Sequence, residues 1–221
     1  MFKIAIDGPG GAGKSTVAKA VAKQLGITYV DTGALYRTVG LYVRQKNVDP
    51  KDEAAVAALL PEIQIKMAHE GGAQVIYLNG ENVGDSIRTQ EMSMYASAVS
   101  AHPPVRNFLL DTQRNIAKTQ SIVMDGRDIG TVIFPDAEVK IFLTATPEDR
   151  ARRRYEEQLS RGITVDYAQV LAEIMERDHN DSTRAVAPLR PAEDAVILDN
   201  SGFSVERSAQ AVIDIIRSKL N

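Results

Sequence analysis

Short apolar runs of four or five residues recur along the chain, and between most of them the apolar positions repeat every three or four residues. "KIAI" (3–6), "ITYV" (27–30), "SIVM" (121–124), "VKIFL" (139–143) and "AVIL" (195–198) are too short for helices. Their near-continuous apolar character is that of strands buried on both faces of a parallel sheet. The longer period predicts helices over about 14–25, 34–46, 89–101, 105–118, 147–159, 165–177 and 204–220. Gly26 stands just past the first helix as a stop, and Pro103-Pro104 separates the fourth from the third. In "DPKDEAAVAALL" (49–60) a further helix is expected, with Asp49 as its cap and Pro50 in its first turn. Thr146, Pro147 and Asp149 give the fifth helix a capping-box-like start.

Between Glu62 and Val83 the period changes to two. "IQIKMA" and "QVIYLNG" alternate apolar and polar residues, with turn signals at "EGG" and "NGEN". A β-hairpin-like insert is therefore expected inside a chain that otherwise alternates strand and helix. That alternation argues for an α/β fold, a doubly wound parallel sheet with helices on both faces.

Composition narrows the functional classes. A length of 221 residues suits one α/β domain with a sizeable core and small appended subdomains. A net charge of −3 gives no bulk attraction to nucleic acid or to an anionic membrane. The lack of cysteine excludes disulfides and any thiol nucleophile or thiolate metal site. No apolar run approaches a membrane span or the core of a signal peptide, so a cytoplasmic location is expected.

The strongest chemical signal is "GPGGAGKS" (8–15), in which Gly8 is followed after four residues by Gly13-Lys14-Ser15. A strand precedes it and a helix follows, the setting in which a phosphate-binding loop works. Gly10, Gly11 and Gly13 let backbone N–H groups converge on phosphate oxygens, and the helix N-terminus adds positive potential. Lys14 would reach the outer phosphates of a nucleoside triphosphate, and the Ser15 hydroxyl would hold Mg²⁺. No Asn-Lys-x-Asp guanine reader occurs, which argues against a GTPase. No Gln or Glu follows "SIVMD" to position an attacking water, which argues against a hydrolytic ATPase.

The chain offers arginine in particular places instead: Arg37 in "DTGALYR", Arg106 in "PPVR", Arg127 in "DGRD", a run at Arg150, Arg152, Arg153 and Arg154, then Arg177 and Arg184. Guanidinium groups form permanently charged, bidentate forks suited to phosphate. An alcohol acceptor would need a base to take its proton. A monophosphate is already anionic, so catalysis reduces to alignment and charge neutralisation by Lys, Arg and Mg²⁺. The three histidines, His69, His102 and His179, form no constellation. Kinases for UMP or another small acceptor, and a non-catalytic ATP-sensing module, remain alternatives on these residues alone.

Taken together, "GPGGAGKST", "DTGALYR", "IRTQE", "DGRDIGTVIFPDA", "KIFLTA" and "ERDHNDSTRAVAPL", with the insert, resemble the bacterial cytidylate kinases across residues 2–220. The resemblance implies a phosphate-loop fold with a five-stranded parallel sheet. Its core would be 1–31, 118–150 and 185–221, with a monophosphate-binding subdomain at about 32–117, an insert at about 62–85 and a lid at about 151–184. It implies a monomer that transfers phosphoryl from ATP to CMP or dCMP. ATP would be held by Gly8, Pro9, Gly10, Gly11, Ala12, Gly13, Lys14, Ser15 and Thr16, with Arg153 and Arg154 from the lid. Thr32 and Arg37 would lie by the CMP ribose and phosphate, and Ser97 and Arg106 by the base. Arg127 would contact phosphate and Asp128 the base, while Arg177, Asp181 and Arg184 would bind phosphates and ribose hydroxyls. Lys14, Arg127 and Arg177 are the catalytic candidates, and Ser15 and Asp125 the metal candidates.

Overall fold

In the computed structural model, which describes residues 1–71 and 73–220, the five apolar runs become strands of one sheet. The chain opens with β1 (Lys3–Asp7), α1 (Lys14–Leu25), β2 (Thr28–Asp31) and α2 (Thr32–Gln45). Helix α3 (Glu53–Leu59) leads into strands β3 (Ile65–Glu70), β4 (Ala73–Leu78) and β5 (Glu81–Asn82), then helices α4 (Gln90–Val99) and α5 (Pro103–Ile116). Strands β6 (Ile122–Gly126) and β7 (Val139–Thr144), helices α6 (Pro147–Ser160) and α7 (Tyr167–Thr183), strand β8 (Val196–Asp199) and helix α8 (Val205–Leu220) complete it. Two compact units result. One runs over Met1–Tyr29 and resumes at Gln120, and the other is Val30–Thr119.

The five-stranded sheet has the order β2-β6-β1-β7-β8. β1 pairs in parallel with β6 and β7, and β7 with β8. The chain leaves β1 for one edge and later crosses to the other, so the order reverses about β1. Ligands of open α/β sheets bind at the carboxyl ends of the strands at such a switch point. The register sets Asp7 level with Gly126 and Phe142, so the loops after β1 and β6 begin side by side while β7 runs on to Thr144. Beneath them Ile4, Ile6, Val123, Ile141 and Leu143 pack with Val17 and Val21 of α1 and Val212, Ile213 and Ile216 of α8.

In the second unit, Leu35, Val39 and Val43 of α2 share a core with Met92 and Val99 of α4 and Val105 and Leu109 of α5. The insert joins this core through Ile76 and Leu78, alternate residues of β4 that are both buried. It contains a third strand, β5, reached through Asn79 and Gly80 with φ of 49° and 90°. Two positive φ values in succession are the backbone of a two-residue hairpin turn. Two residues are too few for β5 to show a period in the sequence. At the β3–β4 connection Gly71 has φ 58°, and Gly72 of the "EGG" signal lies outside the described residues.

Two expectations need correction. Asp49 does not cap α3: its carboxylate accepts the Lys51 N–H in a local turn, and Asp52 accepts the Ala55 N–H as the cap. The helix expected to end at Arg177 continues to Thr183. The residues after Arg177 lack an apolar stripe, but Asp178 pairs with Arg150 and Asp181 with Arg127. These contacts offset the modest helix propensity of Asp, Asn, Ser and Thr there.

The contrast between core and edge gives a first expected outcome. Ile141 is 1% exposed in β7, and Ile197, in the edge strand β8, is 62% exposed. Ile141→Ala should cost about 2–5 kcal/mol in urea unfolding, and Ile197→Ala about 0.5 kcal/mol or less. Similar midpoints for the two variants would contradict this placement of the core.

Candidate active site

The loop after β1 is shaped by glycines. Gly8 has φ 149°, and a Cβ there would lie 1.9 Å from the Leu143 carbonyl oxygen, so no other residue fits. Gly13, in the left-handed region, forms the N-cap of α1. The side chain of Lys14 is buried and its Nζ donates to the Pro9 carbonyl at 2.7 Å. Burial pushes this ammonium well below its ordinary pKa, and the Arg127 and Arg177 cations add to the shift against Asp125 and Asp7. An anionic phosphate beside Lys14 would reverse that penalty.

The hydroxyl of Ser15 donates to Asp125 Oδ2 at 2.8 Å, and Tyr29 donates to Asp125 Oδ1 at the same distance. Both candidate metal ligands are therefore hard oxygen groups in contact. Among the described residues no group of three or more His, Cys, Asp or Glu could hold a metal by itself. One hydroxyl and one carboxylate fit Mg²⁺, which keeps several waters and takes its other ligands from substrate phosphates.

The arginines gather at the same loop. A methyl added at Gly10 would lie 3.5 Å from Arg127 Nη2 and 3.7 Å from Arg177 Cδ. Arg127 Nε donates to Asp181 Oδ2 at 2.9 Å, and Arg177 Nε lies 4.0 Å from that oxygen. Burial raises the Asp181 pKa, but Arg127 and Arg177, helped by Arg184, outweigh it and hold the carboxyl below its ordinary value. Asp181 is i+4 from Arg177 on α7, so one helix turn presents both. Arg184, the C-cap of α7, brings Nη2 to 3.8 Å from Asp128 Oδ1. Lys14, Arg127, Asp128, Arg177, Asp181 and Arg184 thus all belong to one unit and border one another.

Residues 127–134 carry a feature that sequence patterns missed. After β6 the chain makes a wide π-helical turn, Ile129–Ile133, in which Ile133 N–H reaches the Asp128 carbonyl and Phe134 N–H the Ile129 carbonyl. Asp7 accepts from the Ile129 and Gly130 amides, each at 2.7 Å. Burial raises the Asp7 pKa to about 7 against these two donors, with Asp128 adding to the rise and Lys14 opposing it.

The α6–α7 hairpin has a small core of Ala151, Val170 and Ile174. Of its arginines, Arg150 is almost wholly buried. Its Nη1 donates to the Gly10 carbonyl and its Nε to the Ala145 carbonyl, both at 3.0 Å. It also pairs with both carboxylate oxygens of Asp178, at 3.1 and 2.6 Å. Arg150 is therefore a brace between the phosphate loop and both hairpin helices. Arg153 pairs with Asp149 and donates to the Asn200 carbonyl at 2.8 Å, beside Gly13. Arg154 is half-buried on the same hairpin, and Arg152 is exposed and paired with Asp149.

The second unit holds the remaining candidates. Thr32 is buried in the first turn of α2, behind Asp31, which caps that helix at the Ala34 amide. Arg37 Nη2 donates to Asp31 Oδ2 at 2.8 Å, while its buried Nε has no hydrogen-bond partner among the described residues. Arg106 is buried, donates to the Ser100 carbonyl at 3.1 Å and lies 5.7 Å above the Tyr36 ring. Ser97 is half-buried on α4, one turn before Ser100. Tyr36, inside "DTGALYR", is a residue whose packing role the motif alone did not disclose.

Residues 4–218 match the sequence profile of a family described as cytidylate kinase. A cytidylate kinase of Fervidobacterium nodosum is 51% identical over 98% of this chain and 97% of its own length. One from Caldicellulosiruptor bescii is 50% identical over 97% and 95%. A bifunctional pantoate ligase/cytidylate kinase of Synechococcus elongatus is 47% identical over 98% of this chain and 42% of its own. The solved structure of an uncharacterized protein from Eubacterium ventriosum covers 99% of both chains with a TM-score of 0.54 at 15% identity, a likeness of fold alone. Among the described residues no helix is long and apolar enough to cross a membrane.

The Arg150 brace yields an outcome separable from substrate contacts. Arg150→Met leaves the Asp178 carboxylate and two carbonyls without their donor, and should lower unfolding stability by about 3 kcal/mol. Adding Asp178→Leu should recover about half of that loss or more, because no partly buried charge is then left alone. Additive losses in the double variant would show that the two residues do not act as a pair.

Proposed function

The chain belongs to the cytidylate kinase family, and from that premise we propose that it transfers the γ-phosphoryl group of ATP to CMP or dCMP, yielding ADP and CDP or dCDP. The observation that carries this reading is the gathering of Lys14, Arg127 and Arg177 about Gly10 of the phosphate loop. A hydrolase has less need of so many fixed cations. Two anionic nucleotides brought together need them, because each approaching phosphate repels the other.

In the proposed reaction Gly8 to Thr16 wrap the ATP phosphates, and Lys14 reaches their outer end. An oxygen of the CMP phosphate forms a new bond to the γ-phosphorus in line. The bond from that phosphorus to the β–γ bridging oxygen breaks, and its electron pair departs with ADP. The acceptor oxygen is already anionic, so no side chain has to remove a proton. Arg127 and Arg177 offset the charge on the transferring group, an alignment-and-neutralisation mechanism. Ser15 and Asp125 would hold Mg²⁺, which would supply further charge neutralisation. Arg153 and Arg154 belong to a lid at about 151–184.

For the acceptor, Thr32 and Arg37 are assigned to ribose and phosphate, Ser97 and Arg106 to the base, and Asp181 and Arg184 to ribose and phosphates. The subdomain at about 32–117 serves as the monophosphate-binding part. Asp128 accepts from the exocyclic amine of cytosine, as carboxylates do when they read that group in nucleic acids. Uracil presents a carbonyl there, which would face the carboxylate lone pairs. A site built to bond one polar group rejects an analogue that leaves it unpaired. The kinase acts as a cytoplasmic monomer in this reading.

Coupled ADP release with CMP, dCMP, UMP and AMP tests the proposal directly. CMP and dCMP should be turned over, with kcat/KM for UMP lower on the order of 10²-fold. Asp128→Ala should erase most of that difference. Equal use of CMP and UMP by the unaltered protein, or an unchanged ratio in the variant, would contradict the assignment.

A further inference from the structure

The π-helical turn Ile129–Ile133 begins with backbone N–H groups that have no partner within the turn, as every helical start does. An aspartate at the N-cap position ordinarily spends its own carboxylate on those donors. Asp128 occupies that position, with φ −150° and ψ 27°, yet makes no cap bond. Asp7, 122 residues before Ile129 and at the end of β1, makes the cap in its place. Its Oδ1 accepts from Ile129 N–H and its Oδ2 from Gly130 N–H, both at 2.7 Å. Asp7 is 5% exposed, so these bonds are made out of reach of competing water. The turn approaches closely enough that a Cβ on Gly130 would lie 3.3 Å from Asp7 Oδ2 and 3.2 Å from Lys140 Cδ.

We infer that Asp7 is a positioning residue for base recognition: by capping the turn from the neighbouring strand, it relieves Asp128 of that task and aims the Asp128 carboxylate at the acceptor base. The inference rests on the reading of Asp128 given under Proposed function. Asp7 touches no substrate in this account and acts through the backbone of residues 129 and 130. The same clip ties the segment bearing Arg127 and Asp128 to the end of the strand that leads into the phosphate loop. Donor and acceptor recognition thus share one anchor. Without it, the Asp128 carboxylate, at the N-cap, is placed to turn back to the Gly130 amide, and a carboxylate turned toward its own backbone cannot face a base.

Asp7→Asn is the informative change, because it keeps the shape and one acceptor but turns an N–H donor toward one of the two amides. Gly130→Ala perturbs the same clip from the other side with the carboxylate intact. kcat/KM is measured with CMP and with UMP at saturating ATP for the unaltered protein, both variants and Asp128→Ala. Asp7→Asn should lower kcat/KM for CMP by about tenfold and for UMP by much less, so that the ratio falls toward that of Asp128→Ala. Gly130→Ala should move the ratio in the same direction, and it decides the matter alone if Asp7→Asn does not fold. A purely structural role would scale both substrates together and leave the ratio untouched. If Asp128→Ala collapses the ratio while the folded clip variants keep it, the role of Asp7 is overturned and the base reading stands. If Asp128→Ala itself keeps the ratio, the base reading fails and the inference falls with it.

Discussion

Repulsion among like charges is the constraint around which the phosphate-loop unit is built. Burial first, and then the Arg127 and Arg177 cations beside it, hold the Lys14 ammonium below its ordinary pKa. Such a cluster is costly on its own and becomes favourable only with negative charge beside it. Part of that charge is internal. Asp181 draws Arg127 and Arg177 to one oxygen, and Asp128 lies near Arg184. These acids set the spacing and aim of the cations rather than cancelling them, which suits the proposed reaction, in which phosphate supplies the remaining counter-charge.

The sheet makes that concentration possible. With β1 central and its register level with β6 and β7, three loops leave from adjacent strand ends. The first becomes the phosphate loop, the second carries Arg127 and Asp128 just beyond Asp125 of β6, and the third leads into α6. Long-range bonds then fasten these loops together: Ser15 to Asp125, Asp7 to the amides of 129 and 130, and Arg150 to the Gly10 carbonyl. Each is a short polar contact in a shielded place, where a hydrogen bond is electrostatically stronger than in water.

Contiguity in the chain decides how much of this could be read from the sequence. The phosphate loop was legible because strand, glycines, Lys14, Ser15 and helix follow one another without a gap. The five core strands were legible because burial on both faces leaves apolar runs. The π-helical turn was not, since its cap comes from Asp7, 122 residues away. Arg150 read only as the first of a run of arginines, because its partners Gly10 and Asp178 are 140 and 28 residues distant. The far end of α7 escaped for a related reason: its residues have little helical preference, and the ion pairs that hold it are tertiary. Family resemblance supplied residue roles that period and spacing alone could not.

In the proposed reaction Lys14 and Arg127 act where charge develops during transfer, beyond any part they play in holding nucleotides. Steady-state kcat and KM for Lys14→Ala and Arg127→Ala, measured with ATP and CMP, test this most directly. A loss on the order of 10²-fold or more in kcat, larger than any rise in KM, is the predicted result. Turnover that stays at the unaltered level while only KM rises would contradict it.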